Sequence, residues 1–380
     1  MLCTNLVAIA IQANVTTLLV SEPGAGKTAI LGQIVSEIRD LLHDGKDYPF
    51  VVQNLAQIMA EDIGGAQVPN HEEKIMESYS MGVIKELVRA KRGVYFGDEY
   101  GSSNNQVRAA FLNVSEGRRF GDVVLPGVSV VYAMNPAEIA VNGSAMLAPE
   151  SNRPLHIRWF VEHKDWHDYL LGGKGAVRKI PKLPTDWEKT HLPKAKFLVS
   201  GYTKRHPKDI HQMPSPEKAH LPWPSMRSWE NAARMLAAVL ACGFDIASDE
   251  VAAAVTGFVG DGVGKQFFAW VKDMDLPDPE TLLADPVAAV KLLPERHDRA
   301  MACLESVAAA ACEKRPDVVK RWNAAWKILT PVINTKQDRA MAAATMLAER
   351  MPPGAEFPEI AATVLKHRRN IGVSASKATV

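Results

Sequence analysis

SEPGAGKT, residues 21–28, is the stretch that decides the fold. It follows VTTLLV (15–20), an apolar, β-branched run that is typical of a buried parallel strand. It leads into TAILGQIVSEIRDLL (28–42), whose apolar residues recur at helical spacing. A glycine-rich turn between a strand and a helix is the setting of a phosphate-binding loop, G-x-x-x-x-G-K-[ST]. Ser21 replaces the first glycine, which a serine can do if the turn does not require a positive φ.

The remainder of the loop carries the groups that bind a nucleotide. A lysine reaches the β- and γ-phosphates, a Ser or Thr hydroxyl binds Mg²⁺, and the helix N-terminus attracts the negative charge. Lys27 and Thr28 fill the first two roles, with Thr28 as a metal ligand. The sequence therefore predicts ATP and Mg²⁺ as ligands, although nothing in it excludes another nucleoside triphosphate. The predicted nucleotide-binding residues are Glu22, Pro23, Gly24, Ala25, Gly26, Lys27, Thr28, Ala29 and, from a later strand, Asp98.

A second G-x-G-K occurs in GDGVGKQ, residues 260–266. It has Gln266 where a Ser or Thr is needed, and no apolar strand leads into it. We interpret it as a chance match, in a turn before a helix.

Two polar strand ends supply the rest of the predicted site. GVYFGDEY (93–100) is the third predicted strand and ends in Asp98 and Glu99. One acid at such a position holds Mg²⁺, and a second can polarise the attacking water, so we assign Asp98 to the metal and Glu99 to the base. The fourth strand, GVSVVYAMNP (127–136), ends at Asn135, which can orient water or the γ-phosphate. Ordinary strand-end acids and an Asn-Pro turn are the alternatives.

Alternating strands and helices predict an α/β fold with a parallel five-stranded sheet flanked by helices. Residues 153–160 form the fifth predicted strand. We expect three segments: a phosphate-loop core over 1–165, a partly irregular connector over 166–224 with a helix near 193–205, and a helical region over 225–380.

Composition narrows the class of protein. The 380 residues are 47% apolar and 23% charged with a net charge of +1, which argues against a dedicated nucleic-acid binder. The apolar N-terminus lacks a basic segment, and no run is long enough to span a membrane. We therefore expect a cytoplasmic protein without membrane insertion. The four cysteines form no C-x-x-C pair and are expected to be reduced thiols: Cys3, Cys242, Cys303 and Cys312.

The order of these motifs resembles an AAA+ ATPase, and in detail the MoxR-like and dynein-related branch. DIGGAQVP (62–69) resembles that branch's D-[IL]-x-G segment. GVYFGDEYGSSNNQVRAAFLNVSEGR (93–118) is similar to its acidic strand and following helix, and VVYAMNP (130–136) to its Asn-ending strand. The resemblance is good over 1–160 and weaker over 220–380. It implies an AAA+ core followed by an α-helical lid, with Lys27, Glu99 and Asn135 in catalysis and Asn135 as first sensor.

The resemblance also implies two catalytic arginines. MLAPESNRPLHIRWF (146–160) resembles the segment whose arginine finger reaches the γ-phosphate of a neighbouring subunit. Arg153 occupies the matching position, although Pro154 stands where Phe is usual and Arg158 is a nearby alternative. PSMRSW (224–229) resembles the segment that opens the lid, so Arg227 would be a second sensor touching the γ-phosphate of its own chain.

These roles imply an ATPase that forms a ring, usually a hexamer, and remodels, activates or assembles a client protein, often one with a von Willebrand factor A domain. A nucleic-acid-associated NTPase of a McrB-like restriction or defence system is one alternative, and a nucleotide-dependent scaffold or switch with little hydrolysis is another. Two further features favour structural interpretations. Arg118 and Arg119 are interpreted as a solvated pair in a hairpin, with an approach to the ring's pore or to the neighbouring subunit as the alternative. Packing in the core or between domains is favoured over base stacking for a set of five tryptophans: Trp159, Trp166, Trp187, Trp223 and Trp229.

Overall fold

Helices and strands alternate through the first part of the chain, because apolar runs with period-two and helical spacing follow one another there. The computed structural model describes residues 2–43, 45, 47–136, 146–177, 179–274, 276–313, 315–361 and 364. In chain order the first elements are α1 (Leu2–Gln12), β1 (Thr17–Val20), α2 (Lys27–Leu42), β2 (Phe50–Asn54), α3 (Glu61–Gly64), β3 (Ala66–Asn70), β4 (Ile75–Tyr79), α4 (Lys85–Ala90), β5 (Gly93–Asp98), α5 (Asn105–Gly117), β6 (Arg119–Phe120), β7 (Val123–Val124), β8 (Val128–Met134), α6 (Ala148–Ser151) and β9 (Leu155–Arg158).

Five of these strands form one parallel sheet in the order β2-β5-β8-β1-β9. In β1, Leu18 is paired with Tyr132 on one side and His156 on the other. The predicted α/β fold with a five-stranded parallel sheet is thereby confirmed. Since all five strands run the same way, their carboxyl ends share one edge of the sheet and their amino ends the other.

The insertion after β2 contains an antiparallel hairpin. The sequence predicts a loop or hairpin over 61–72 and a helix over 80–92. The structure has the short helix α3 followed by β3 and β4, with Ala66 opposite Tyr79. The predicted helix is shorter than expected, because a 3₁₀ turn at Gly82–Ile84 precedes α4.

Helices dominate the rest of the described chain, as expected near 193–205 and after 225, whereas the sequence predicts neither of the first two. In order they are α7 (His163–Leu170), α8 (Trp187–Thr190), α9 (Leu192–Arg205), α10 (Met226–Ala241), α11 (Asp249–Val259), α12 (Asp261–Met274), α13 (Pro279–Ala284), α14 (Pro286–Leu292), α15 (His297–Ala311), α16 (Val318–Thr335) and α17 (Gln337–Glu349). None of the helices in the described part combines the length and apolarity needed to cross a lipid bilayer.

The second G-x-G-K lies inside a helix and not in a turn before one. Gly260 ends α11 with a φ of 82°, and α12 begins at the next residue, so the stretch forms the first turns of α12. The prediction of a turn over the whole stretch is therefore wrong, while its interpretation as a chance match stays a prediction.

The chain forms two compact units. The first contains Met1–Leu192 and Arg205–Phe268, and the second contains Pro193–Lys204 and Ala269–Val380. The core of the second unit is helical, with Leu304, Trp322 and Leu329 fully buried. These boundaries differ from those of the three predicted segments, which are 1–165, 166–224 and 225–380. The functional division into those segments stays a prediction.

Three hydrogen bonds fix the start of α10 in the first unit. Ser225 caps the helix, since its hydroxyl accepts from the backbone N–H of Ser228 at 3.1 Å. The same hydroxyl donates to Asn152 Oδ1 at 2.8 Å, and Asn152 Nδ2 donates to the Trp223 carbonyl at 2.9 Å. The start of α10 is thereby held beside the turn that precedes β9.

Most of the tryptophans singled out above pack into the protein. Trp159, Trp187, Trp223 and Trp229 are buried, which confirms the packing interpretation for them. Trp166 on α7 is 52% exposed and is the exception.

Candidate functional site

The glycine-rich loop has the backbone that the sequence predicts. Gly24 and Gly26 have φ angles of 79° and 69°, in the left-handed region that glycine adopts without strain. Gly26 is the N-cap of α2, so the free N–H groups of this helix face the loop. Ser21 is not among the residues with positive φ, and its buried backbone N–H donates to the Met134 carbonyl at 3.3 Å. The substitution of the first glycine is therefore sterically harmless.

Lys27 lies over the loop. Its Nζ donates to the Ser21 hydroxyl at 2.9 Å and to the carbonyls of Ser21 and Glu22 at 3.2 Å each. Burial lowers the pKa of Lys27, and the charges of Asp98 and Glu99 partly offset this effect. All three acceptors are neutral, so a phosphate oxygen would be a stronger partner for the ammonium group.

Thr28 and Asp98 meet across the sheet. Thr28 Oγ1 donates to Asp98 Oδ2 at 3.0 Å, although the two residues are 70 positions apart. Asp98 is the last residue of β5, and Thr28 lies in the first turn of α2. Mg²⁺ is commonly bound by one or two protein oxygens plus waters and phosphates. This hydroxyl and carboxylate therefore fit the metal of a nucleotide complex.

Glu99 has a φ of 55°, which is unusual for a residue other than glycine. Its backbone N–H donates to Asp98 Oδ1 at 2.9 Å, which helps to hold this turn. Its carboxylate Oε2 accepts from Ser102 Oγ at 3.3 Å and lies 3.5 Å from Asn135 Nδ2. Strained backbone of this kind is concentrated at functional sites.

Asn135 lies between the loop and the acids. It follows β8, and β8 lies between β5 and β1 in the sheet. The structure therefore brings together four of the predicted side chains at the carboxyl edge: Lys27, Thr28, Asp98 and Glu99, with Asn135 beside them.

A cavity of about 1160 Å³ opens beside the loop, within the first unit. Its wall includes Leu6 of α1, Ala25 of the loop and Val263 of α12. Ligand pockets of this size are mostly apolar with a few polar groups that orient the ligand. The position next to the phosphate loop suits the base and ribose of a nucleotide.

Trp159 and His156 shape this cavity from β9 and the residue after it. Trp159 Nε1 donates to the Ala25 carbonyl at 3.1 Å, which ties the loop to the end of β9. Burial lowers the pKa of His156 to about 4, so the imidazole is neutral at pH 7. Its Nε2 lies 2.8 Å from the Ser151 carbonyl oxygen and therefore carries the proton.

Arg153 and Arg227 lie together, away from their own loop. Arg153 precedes β9, whose first residue, Leu155, is paired with the first residue of β1, whereas the loop follows the last residue of β1. Both arginines contact Glu116 near the end of α5, Arg153 at 3.0 Å and Arg227 at 3.2 Å. The predicted contact of Arg227 with the γ-phosphate of its own chain does not match this placement, because the start of α10 is held at the amino edge of the sheet.

Arg158 lies at the opposite edge from Arg153. It is the last residue of β9, paired with Val20 immediately before the loop, and it is exposed. Arg153 and Arg158 thus differ in which edge of the sheet they occupy. Only Arg153 lies on the side that faces away from the chain's own loop.

Arg118 is not solvated, which corrects the interpretation of Arg118 and Arg119 as a surface pair. It ends α5 with a φ of 53° and is 8% exposed, whereas Arg119 is exposed. Its guanidinium donates to Thr16 Oγ1 at 2.6 Å, to the Asn14 carbonyl at 3.1 Å and to the Ser115 carbonyl. Arg118 therefore joins the end of α5 to the segment that leads into β1.

Sequence reasoning missed Glu116, Ser102 and the indole of Trp159. Glu116 belongs to the segment that carries the family resemblance, yet nothing in the local pattern indicates that it meets two arginines. Ser102 follows Glu99 by three residues, and this spacing in a tight turn is the one signal that could have indicated it.

The sequence matches no protein-family model and no curated protein. Solved structures do resemble the chain. One is the crystal structure of a protein from Cytophaga hutchinsonii described as a "putative ATPase". It has 14% sequence identity and a TM-score of 0.44, over 71% of this chain and 87% of that one. A likeness at this TM-score does not bear on activity. Any inference about activity rests on the geometry of the site.

Proposed function

We propose that this protein is an ATPase that hydrolyses ATP with Mg²⁺. The observation that carries the proposal is the meeting of Thr28 and Asp98 at 3.0 Å, with Glu99 next in the chain and Asn135 beside it. A phosphate loop, a metal-side acid and a second acid near a polar amide are the parts that phosphoryl transfer to water requires.

Each side chain has a distinct task in this mechanism. Thr28 and Asp98 would hold Mg²⁺, which would supply positive charge to the phosphates. The Lys27 ammonium leaves its loop carbonyls and binds the β- and γ-phosphates. Glu99 orients the attacking water and accepts its proton, while Asn135 holds the Glu99 carboxylate or the water in line. The cavity beside the loop receives the base and ribose.

The arginines make hydrolysis depend on a neighbouring chain. Arg153 and Arg227 face away from their own loop, and a head-to-tail ring would bring them to the triphosphate of the next subunit. There they stabilise charge that develops during transfer, as an arginine finger does. The ring is a homo-oligomer and, by the resemblance to AAA+ proteins, a hexamer.

The family resemblance supports the choice of client protein, and the free cysteine thiols support the choice of cellular compartment. We place the protein with the MoxR-like branch, as a chaperone-like factor that remodels, activates or assembles a partner with a von Willebrand factor A domain. Nucleic acid is not expected as a partner. The four cysteines, all free thiols, support a cytoplasmic location.

The test is ATPase activity measured against protein concentration, for wild type and for Arg153→Ala. Specific activity is expected to rise with concentration as rings form, and Arg153→Ala is expected to be nearly inactive. Mixing Arg153→Ala with Glu99→Gln chains should restore activity, since each supplies what the other lacks. Activity that is strictly proportional to concentration and unaffected by Arg153→Ala would rule out the ring mechanism, while ATP binding without phosphate release would rule out the ATPase.

A further inference from the structure

One carboxylate holds both arginines of the amino edge. Glu116 Oε2 lies 3.0 Å from Arg153 Nε, and Glu116 Oε1 lies 3.2 Å from an Arg227 terminal nitrogen. Each oxygen of the carboxylate therefore serves a different guanidinium. Arg153 also donates to the Pro149 carbonyl, so its side chain is held from two directions.

The position of Glu116 in its helix is unfavourable on local grounds. It lies in the last turn of α5, where the helix dipole presents its negative end and a carboxylate is repelled. The ion pairs themselves contribute little to stability, since Glu116 and Arg227 are each 47% exposed. Helix stability therefore does not explain a glutamate at this position, whereas its two arginine partners do.

The cluster formed by Arg153, Arg227 and Glu116 keeps a net positive charge and can still bind an anion. Two guanidinium groups against one carboxylate leave a net charge of +1. Arg227 is half exposed, so part of its fork is free to take a phosphate oxygen. Glu116 therefore orients the arginines without neutralising them.

The helix that carries Glu116 also begins a few residues after Glu99, the proposed catalytic base. α5 starts at Asn105, six residues after Glu99, and Glu116 lies near its other end. A helix of 13 residues is about 20 Å long, so α5 is a rigid link between the two edges of the sheet.

We propose that Glu116 is a positioning residue that holds Arg153 and Arg227 side by side, so that both are presented together to the triphosphate of the neighbouring subunit. This inference rests on the proposed ring ATPase. It assigns to Glu116 an effect on the neighbour's hydrolysis and none on nucleotide binding at its own loop.

Complementation between chains tests this directly. Glu116→Ala is expected to lower kcat by about ten- to hundredfold, since misplacing a catalytic group by an ångström can have an effect of that size, with KM for ATP within about twofold of wild type. Glu99→Gln chains are inactive at their own site but carry an intact arginine cluster. An equal mixture of the two should regain about a quarter of wild-type activity if chains assort at random in a head-to-tail ring.

Two controls separate positioning from folding. Asn113→Ala, at an exposed position on the same helix, is expected to keep wild-type kcat. Glu116→Gln keeps one acceptor oxygen and is expected to fall between wild type and Glu116→Ala. A kcat for Glu116→Ala equal to wild type, or a defect that Glu99→Gln chains do not repair, would overturn the inference.

A parallel mixture of Arg153→Ala with Glu99→Gln chains separates a failure of the Glu116 role from a failure of the ring ATPase. If that mixture regains activity while Glu116→Ala with Glu99→Gln does not, the role of Glu116 is refuted and the ring ATPase stands. If neither mixture regains activity, the proposed ring mechanism itself fails.

Discussion

The two edges of the sheet differ in what they contain. The carboxyl edge carries a loop, two acids and an amide from three neighbouring strands, in contact within one chain. The amino edge carries Arg153 and Arg227 on Glu116, with no phosphate loop of its own chain beside them. Under the proposed function, the carboxyl edge would bind the nucleotide and the amino edge would complete the site of a neighbouring chain. If the proposed ring forms, the groups for catalysis are divided between the two faces that each subunit presents to its neighbours.

The largest effect is expected at the carboxyl edge. Glu99→Gln removes the proposed acceptor of the water proton, and we expect hydrolysis to fall by about 10³- to 10⁴-fold. ATP affinity should stay within a few-fold, because Lys27 and Thr28 are intact. Phosphate release and equilibrium ATP binding measured on the same preparation check this. Hydrolysis at more than a tenth of the wild-type rate would show that Glu99 is not the base.

Arg227→Ala gives the sharpest test of the division between the edges. We expect kcat to fall by about a hundredfold, since an arginine that stabilises the transferring phosphoryl group contributes at least that much. On a Glu99→Gln background, the Kd of ATP measured with dilute, unassembled chains should not change, because Arg227 lies at the other edge. A tenfold weaker Kd in dilute chains would instead place Arg227 at its own loop.

Arg118→Met tests the join between α5 and the strand β1. It removes hydrogen bonds to Asn14, Thr16 and Ser115 and leaves buried acceptors unpaired, so we expect the free energy of unfolding to fall by about 2–4 kcal/mol. Arg119→Met is the matched control, because the neighbouring side chain is exposed, and should change stability by less than about 0.5 kcal/mol. Denaturant unfolding of both variants measures this difference. Equal losses in the free energy of unfolding would contradict the buried role of Arg118.

The smallest effect concerns His156, in the strand that joins the two edges. Its pKa is about 4 in the folded protein and about 6.5 when unfolded, so the unfolded chain binds more protons between these values. Its contribution to stability is present above pH 6.5 and is lost as pH falls towards 4. We expect His156→Gln to flatten the pH dependence of unfolding in this window by about 2–3 kcal/mol, since each pKa unit corresponds to about 1.4 kcal/mol. Parallel curves for wild type and variant would contradict this.

Local pattern predicted the carboxyl edge well. A tight loop before a helix determines where Gly24, Gly26 and Lys27 lie. The end of an apolar strand determines the place of Asp98 and Glu99. Parallel pairing then brings these strand ends together without any further information. The fold class and the meeting of these side chains at the carboxyl edge were therefore within reach of the sequence.

The amino edge depends on contacts between distant parts of the chain. Arg227 could be recognised from its motif, but its location follows from Ser225 and Trp223 bonding to Asn152, more than 70 residues earlier. Arg118 resembles a hairpin residue until Asn14, more than 100 residues away, comes beside it. A local motif can identify such a residue, but only the packing shows which site it serves.

The bond from the Trp159 indole to the Ala25 carbonyl has an optical consequence. Indole emission depends on the polarity and hydrogen bonding around the ring, and this ring is buried against the tip of the loop. A phosphate that displaces Ala25 would alter the hydrogen bond that this N–H group donates. The emission that is present in wild type and missing in Trp159→Phe would therefore report, without any label, whether the loop is occupied.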